Sequence, residues 1–162
     1  MGSLWQVTVY AAFQRAKVYS ENATDSNKKC IKKLLEIEIN KKLKEYKNRV
    51  SEKSHVSNIK SIANSINKQW SNSLIDGSIP IGVIQKAFNL YLKIMWCLKK
   101  IPEPPHCPLD SVIIKKLPNK HRTSWTKIKD IDTYQAIISE LKKIAGKRSL
   151  AVWELETYAK PK

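Results

Sequence analysis

Glycine and arginine are both scarce in this chain: 4 of its 162 residues are glycine, and Arg15, Arg49, Arg122 and Arg148 are its only arginines. None of the glycine-bearing site motifs is present. The chain has no NTPase phosphate loop, no dinucleotide fingerprint and no G-x-S-x-G nucleophile elbow, and it also lacks H-E-x-x-H. Cysteine is limited to Cys30, Cys97 and Cys107, an odd number without a C-x-x-C pair, which argues against a disulfide framework and fits reduced thiols. His106 and Cys107 are adjacent, and adjacent residues rarely both ligate one tetrahedral ion, so joining them with Cys97 and His121 around zinc is disfavoured. Cys97 sits on a predicted helix among apolar neighbours and is expected to be an inert buried thiol. No metal and no cofactor is implied. The carboxylate pairs Glu36/Glu38 and Glu154/Glu156 are offset by two, which points their members to different sides of a helix.

Long apolar runs are missing too. Nothing approaches the roughly 18 residues of a membrane span. Met1 to Phe13 has neither the basic start nor the small-residue cleavage site of a signal peptide, and Met1-Gly2-Ser3 reads as an appended start. The expectation is a cytoplasmic or nucleoid-associated protein with no membrane partner.

Negative charge is the last shortage. Against 30 Lys and Arg stand 14 Asp and Glu, giving a formal charge of +16. So large a surplus opposes compaction by self-repulsion unless a polyanion or salt screens it, and nucleic acid, DNA first, is the partner this balance suggests. Hydrophobic residues make up 42% of the chain, enough for a core in a single domain over residues 1–162.

What is present is helical periodicity. From Ile31 the series Leu34, Leu35, Ile37 or Ile39, Leu43, Tyr46 and Val50 recurs near 3.6 and predicts a long amphipathic helix. Val56 to Trp70 predicts a second, with Ile59, Ile62, Ala63 and Ile66 inward and Asn58 elsewhere. Asp76 to Gly82 reads as a tight connector. Val83 to Leu98 follows as the most apolar helix, with Ile84, Ala87, Phe88, Tyr91, Ile94, Met95 and Leu98 on its buried stripe and Gln85, Lys86, Asn89 and Lys93 on a polar side. Prolines 102, 104, 105 and 108 force an extended segment, and Pro108 is expected to open a new helix, with Cys107 as its cap and Leu109, Val112, Ile113 and Leu117 inward. A helix carrying Tyr134 to Ala145 ends at Gly146, and Ser149 caps a last one through Trp153 and Tyr158. Trp5, Val7 and Val9 alternate as in a strand, but without a partner strand a helix over Leu4 to Tyr19 is preferred. The expected fold class is all-α, with six or seven helices.

One constellation has chemical content. A glycine-bearing connector with Gly77 and Gly82 leads into a helix opening Gly82-Val-Ile-Gln-Lys86, and a proline-rich turn ends in Pro108-Leu-Asp110. Here residues 74–117 resemble the helix-hairpin-helix DNA glycosylases, and most nearly their archaeal 8-oxoguanine branch. That superfamily carries a lysine near the start of the second hairpin helix and an aspartate in a Pro-Val-Asp type motif. The resemblance implies a DNA base-excision glycosylase with AP-lyase activity, in which Lys86 and Asp110 are catalytic and the hairpin amides at Gly77 and Gly82 meet phosphate.

Physical chemistry gives each residue type a task. A carboxylate stabilises positive charge developing at the sugar C1′, which suits Asp110. An amine that displaces the base and forms a Schiff base suits Lys86, provided its pKa is depressed by desolvation or by neighbouring cations such as Lys93. Gln85 adjoins the nucleophile, and Trp96, Trp125, Phe88 or His106 would stack on an extruded base or fill the hole it leaves. Each residue also has an ordinary role: a solvated lysine, a first-turn carboxylate, turn glycines and core tryptophans. The alternatives are therefore a non-catalytic basic helical nucleic-acid-binding module, or a defence or toxin-type protein that meets an acidic partner.

Overall fold

A computed structural model of the chain describes residues 2–159. It is all-α, with helices α1 (Gly2–Phe13), α2 (Asp25–Leu43), α3 (Glu52–Trp70), α4 (Ile81–Cys97), α5 (Ser111–Ile114), α6 (Ile131–Ala145) and α7 (Leu150–Ala159). Short side chains fix several starts. Thr24 opens α2 with a reciprocal capping box to Asn27, Ser51 caps α3, and Asp130 caps α6. Gly146, at φ 65°, closes α6, where a side chain would be strained.

The helix α4 is the axis of the fold. Every residue from Ile81 to Asn89 is buried, because α1, α3, α6 and the turn at Trp125 all pack on it. The predicted stripe from Ile31 to Val50 is split: Ile31, Leu35 and Ile39 are buried on α2 while Ile37 is exposed, but the helix stops at Leu43, with Tyr46 buried in the short turn that follows and Val50 outside any helix. On α3, Ile59, Ile62, Ala63 and Ile66 line the other side of the core. Burying one such isoleucine contributes about 1.5–3 kcal/mol.

Four further expectations need correction. The first helix ends at Phe13 rather than Tyr19, since Val18 to Ser20 run extended against the connector after α3: Ile75 N–H donates to the Val18 carbonyl at 3.0 Å and Ser20 N–H to the Ser73 carbonyl at 3.0 Å. Pro108 does not open a helix. Both backbone polar groups of Leu109 bond to a side chain of α4, so the chain stays extended until Asp110 caps α5, and Val112 faces solvent in place of the buried Ile114. The polar side of α4 is buried at Gln85, Lys86 and Asn89 and half-buried at Lys93 rather than solvated; Asn58 is buried too, and its amide reaches Glu45 at 2.7 Å. Cys97 and Leu98 are exposed, because α4 outruns the core before Lys99, at φ 57°, ends it.

Candidate active site

The first turn of α4 is held by an unusually close backbone approach. Gly82 N–H donates to the Ile128 carbonyl at 2.9 Å, and a Cβ at this position would lie 1.7 Å from the Trp125 carbonyl oxygen. Only glycine admits the Trp125–Ile128 segment here. That close approach sets the Trp125 ring under Lys86, whose Nζ stands 3.9 Å from the ring centroid.

One turn along, the polar side chains of α4 strap the proline-rich segment down. Gln85 Nε2 donates to the Leu109 carbonyl at 2.9 Å, and its Oε1 accepts from Leu109 N–H at 3.0 Å. Asn89 Nδ2 donates to the Cys107 carbonyl at 3.1 Å and reaches the Tyr134 hydroxyl at 3.2 Å, which bonds His106 Nδ1 at 2.8 Å. These bonds explain the buried polar face: each amide answers backbone groups that proline-rich chain cannot pair within itself.

The clamp brings Lys86 and Asp110 into one electrostatic neighbourhood. Asp110 Oδ1 accepts from Val112 N–H at 2.9 Å and Ile113 N–H at 3.0 Å, and Oδ2 accepts from the Tyr158 hydroxyl of α7. Three donors thus fix the carboxylate's orientation. Lys86 is buried, with 9% of its surface exposed. Desolvation pulls its pKa below the ordinary lysine value, Asp110 opposes that shift, and Arg15 adds to it. The electron-rich face of Trp125 also favours the ammonium form.

The cation that assists Lys86 is therefore Arg15 and not Lys93. Lys93 Nζ is engaged with Glu154 at 2.7 Å and lies over the Tyr158 ring. Glu154 is buried, its carboxyl is pushed up by desolvation against the pull of Lys93, and its second oxygen has no partner among the described residues.

The remaining candidates divide by exposure. Trp125 is buried, with one face covered by Lys86, and serves as the floor beneath the amine. His106 is buried against His55, with ring centroids 4.7 Å apart, and burial lowers its pKa to about 3, so it is a neutral network member. Phe88 is wholly buried, and Trp96 is half-buried against the core. Gly77, at φ 68°, donates its N–H to the Leu74 carbonyl at 3.2 Å, so it and Gly82 both have their amides engaged inside the fold.

Sequence reasoning missed Arg15 and Tyr158. Tyr158 lies 48 residues from Asp110, and no spacing or motif links the two. Comparison of the chain with protein-family models, curated proteins and solved structures gave no match.

Proposed function

We propose that this chain is a DNA base-excision glycosylase with AP-lyase activity. The observation that carries the reading is a buried lysine amine, lowered in pKa, in the same electrostatic neighbourhood as a carboxylate oriented by three donors. The charge of +16 supports a polyanionic substrate.

Lys86 and Asp110 divide the steps, and the protons gained and lost are exchanged with solvent water. The neutral Lys86 amine donates its lone pair to C1′ as the glycosidic bond breaks, and the base leaves with the bond electrons and takes up a proton. Asp110 stabilises the positive charge on the sugar in that transition state. The new secondary ammonium loses a proton from its nitrogen, whose lone pair then forms the C1′=N bond as the ring C1′–O4′ bond breaks and the ring oxygen takes up a proton, giving a protonated imine. Removal of a C2′ proton then expels the 3′ phosphate and nicks the strand.

The packing of Lys86 on Trp125 favours a second reading, in which the lysine is structural and the chain is a non-catalytic nucleic-acid-binding module. Lys86→Gln separates the two. Assayed on duplexes with a damaged or modified base, the variant is expected to lose strand cleavage and keep its affinity, since one phosphate interaction among many is a small loss. Cleavage unchanged by Lys86→Gln overturns the catalytic reading.

A further inference from the structure

A cleft of about 330 Å³ opens beside Trp125, walled by Arg15 beyond the end of α1, by Ser111, Ile114 and Lys115 around α5, and by the connector from Arg122 to Thr126. Three cationic side chains from three separate stretches of chain converge on it, and among the described residues no carboxylate lines it. None of the three cations is in an ion pair among the described residues. Hydroxyls of Ser111, Thr123, Ser124 and Thr126 share the lining with Ile114 and the Trp125 ring, and Ser124 and Thr126 bond one another at 2.8 Å, so the cleft sets charge and neutral polar groups against an apolar floor.

Other clefts differ in the features that matter. Those near Arg148, His106 and His121 each include a glutamate that offsets their cations. A smaller one at the far end of α4, about 170 Å³, has Lys44, Lys47 and Lys100 but, among the described residues, no hydroxyl. At Trp125 the guanidinium of Arg122 is also preset: its Nε donates to the Leu117 carbonyl at 2.8 Å and Nη2 to the Lys115 carbonyl at 2.7 Å. A cation held in this way loses little conformational entropy when it meets an anion.

We infer that this cleft binds the phosphodiester backbone of one nucleic-acid strand beside Lys86. Arg15 and Trp125 are shared between cleft and lysine, which ties the two sites together. The inference rests on the nucleic-acid part of the reading above and does not require catalysis. With the amides of Gly77 and Gly82 engaged internally, the cleft supplies the phosphate interactions that the connector does not.

The test is the salt dependence of affinity for a short fluorescein-labelled duplex, measured for the native chain, Arg15→Gln, Lys115→Gln, the double variant, and Lys60→Gln on the exposed side of α3. Removing one cation that neutralises a phosphate lowers the slope of log K against log salt by about 0.9. Arg15→Gln and Lys115→Gln are each expected to lower it by about that much, and the double variant by about twice as much. Lys60→Gln is expected to leave it unchanged. Cleft variants that shift the slope no more than Lys60→Gln overturn the inference. Cleft variants that keep the duplex slope but abolish weak binding of inorganic phosphate, followed by NMR, overturn it too, because the cleft then takes a free anion. Strand cleavage on the same duplexes, native against Lys86→Gln, is read separately, so failure of the catalytic reading is distinguishable from failure of the cleft.

Discussion

The side-chain amide of Gln85 bonds both backbone polar groups of Leu109, donating to the carbonyl at 2.9 Å and accepting from the N–H at 3.0 Å. The residues that follow each of these are Lys86 and Asp110. A single bidentate interaction between the start of α4 and the end of the proline-rich segment therefore sets the relation between amine and carboxylate. Replacing Gln85 with Leu leaves a buried N–H and a buried carbonyl unpaired, each costing about 1–3 kcal/mol. Urea unfolding of Gln85→Leu is expected to show a midpoint lowered accordingly with an unchanged slope, and residual strand cleavage should fall with it.

Gly82 makes a sharper structural prediction. Because its Cβ would lie 1.7 Å from the Trp125 carbonyl oxygen, Gly82→Ala must displace the Trp125–Ile128 segment or the start of α4. Overpacking against backbone costs about 3 kcal/mol or more. The expected readout is a large drop in thermal midpoint, together with a change in Trp fluorescence as the ring moves from beneath Lys86.

Asp110 serves as the cap of α5 whatever else it does, and Asn caps a helix nearly as well as Asp. Asp110→Asn is therefore expected to change stability by less than about 1 kcal/mol while removing the charge that the proposed reaction places at C1′. Cleavage should be lost and DNA affinity retained. A variant with native cleavage would leave Asp110 as a cap alone.

His55 and His106 give the fold a defined response to acid. Burial holds both below the ordinary histidine pKa, His106 to about 3, so the folded chain declines protons that the unfolded chain accepts. Stability is therefore full above the unfolded value near 6.5 and is lost as pH falls from there toward the folded values, by up to about 1.4 kcal/mol per pH unit for each histidine. Urea midpoints measured between about pH 7 and about pH 5 should decline, and His106→Gln should make that decline shallower.

Much of the helical fold was legible in the chain. The run from Tyr134 to Ala145 has a clear inward stripe and a terminal glycine, and α6 ends at Gly146 as those signals require. The polar side of α4 was not legible, because periodicity alone assigns amides and ammonium groups to water. Their partners, the Leu109 and Cys107 backbone and the Tyr134 hydroxyl, lie 18 to 45 residues away. The same long-range bonds explain Pro108: a proline suits a first helical position, but a Leu109 backbone pinned at both groups has none left for a helix. Lys86 and Asp110 were singled out by their motifs, whereas Arg15 and Tyr158 reach the site only through tertiary packing, for which the local sequence holds no signal.

Borohydride trapping tests the central assignment most directly. Native protein and Lys86→Gln are incubated with duplexes carrying 8-oxoguanine, uracil, an alkylated purine, hydroxymethylcytosine or an abasic site, and the imine is reduced in place. A covalent adduct on one of the intact-base duplexes that disappears in Lys86→Gln is the predicted result, and it names the substrate as well as the nucleophile. Trapping confined to the abasic duplex and equal in both proteins would reflect adventitious amine chemistry of a lysine-rich surface and would contradict the assignment.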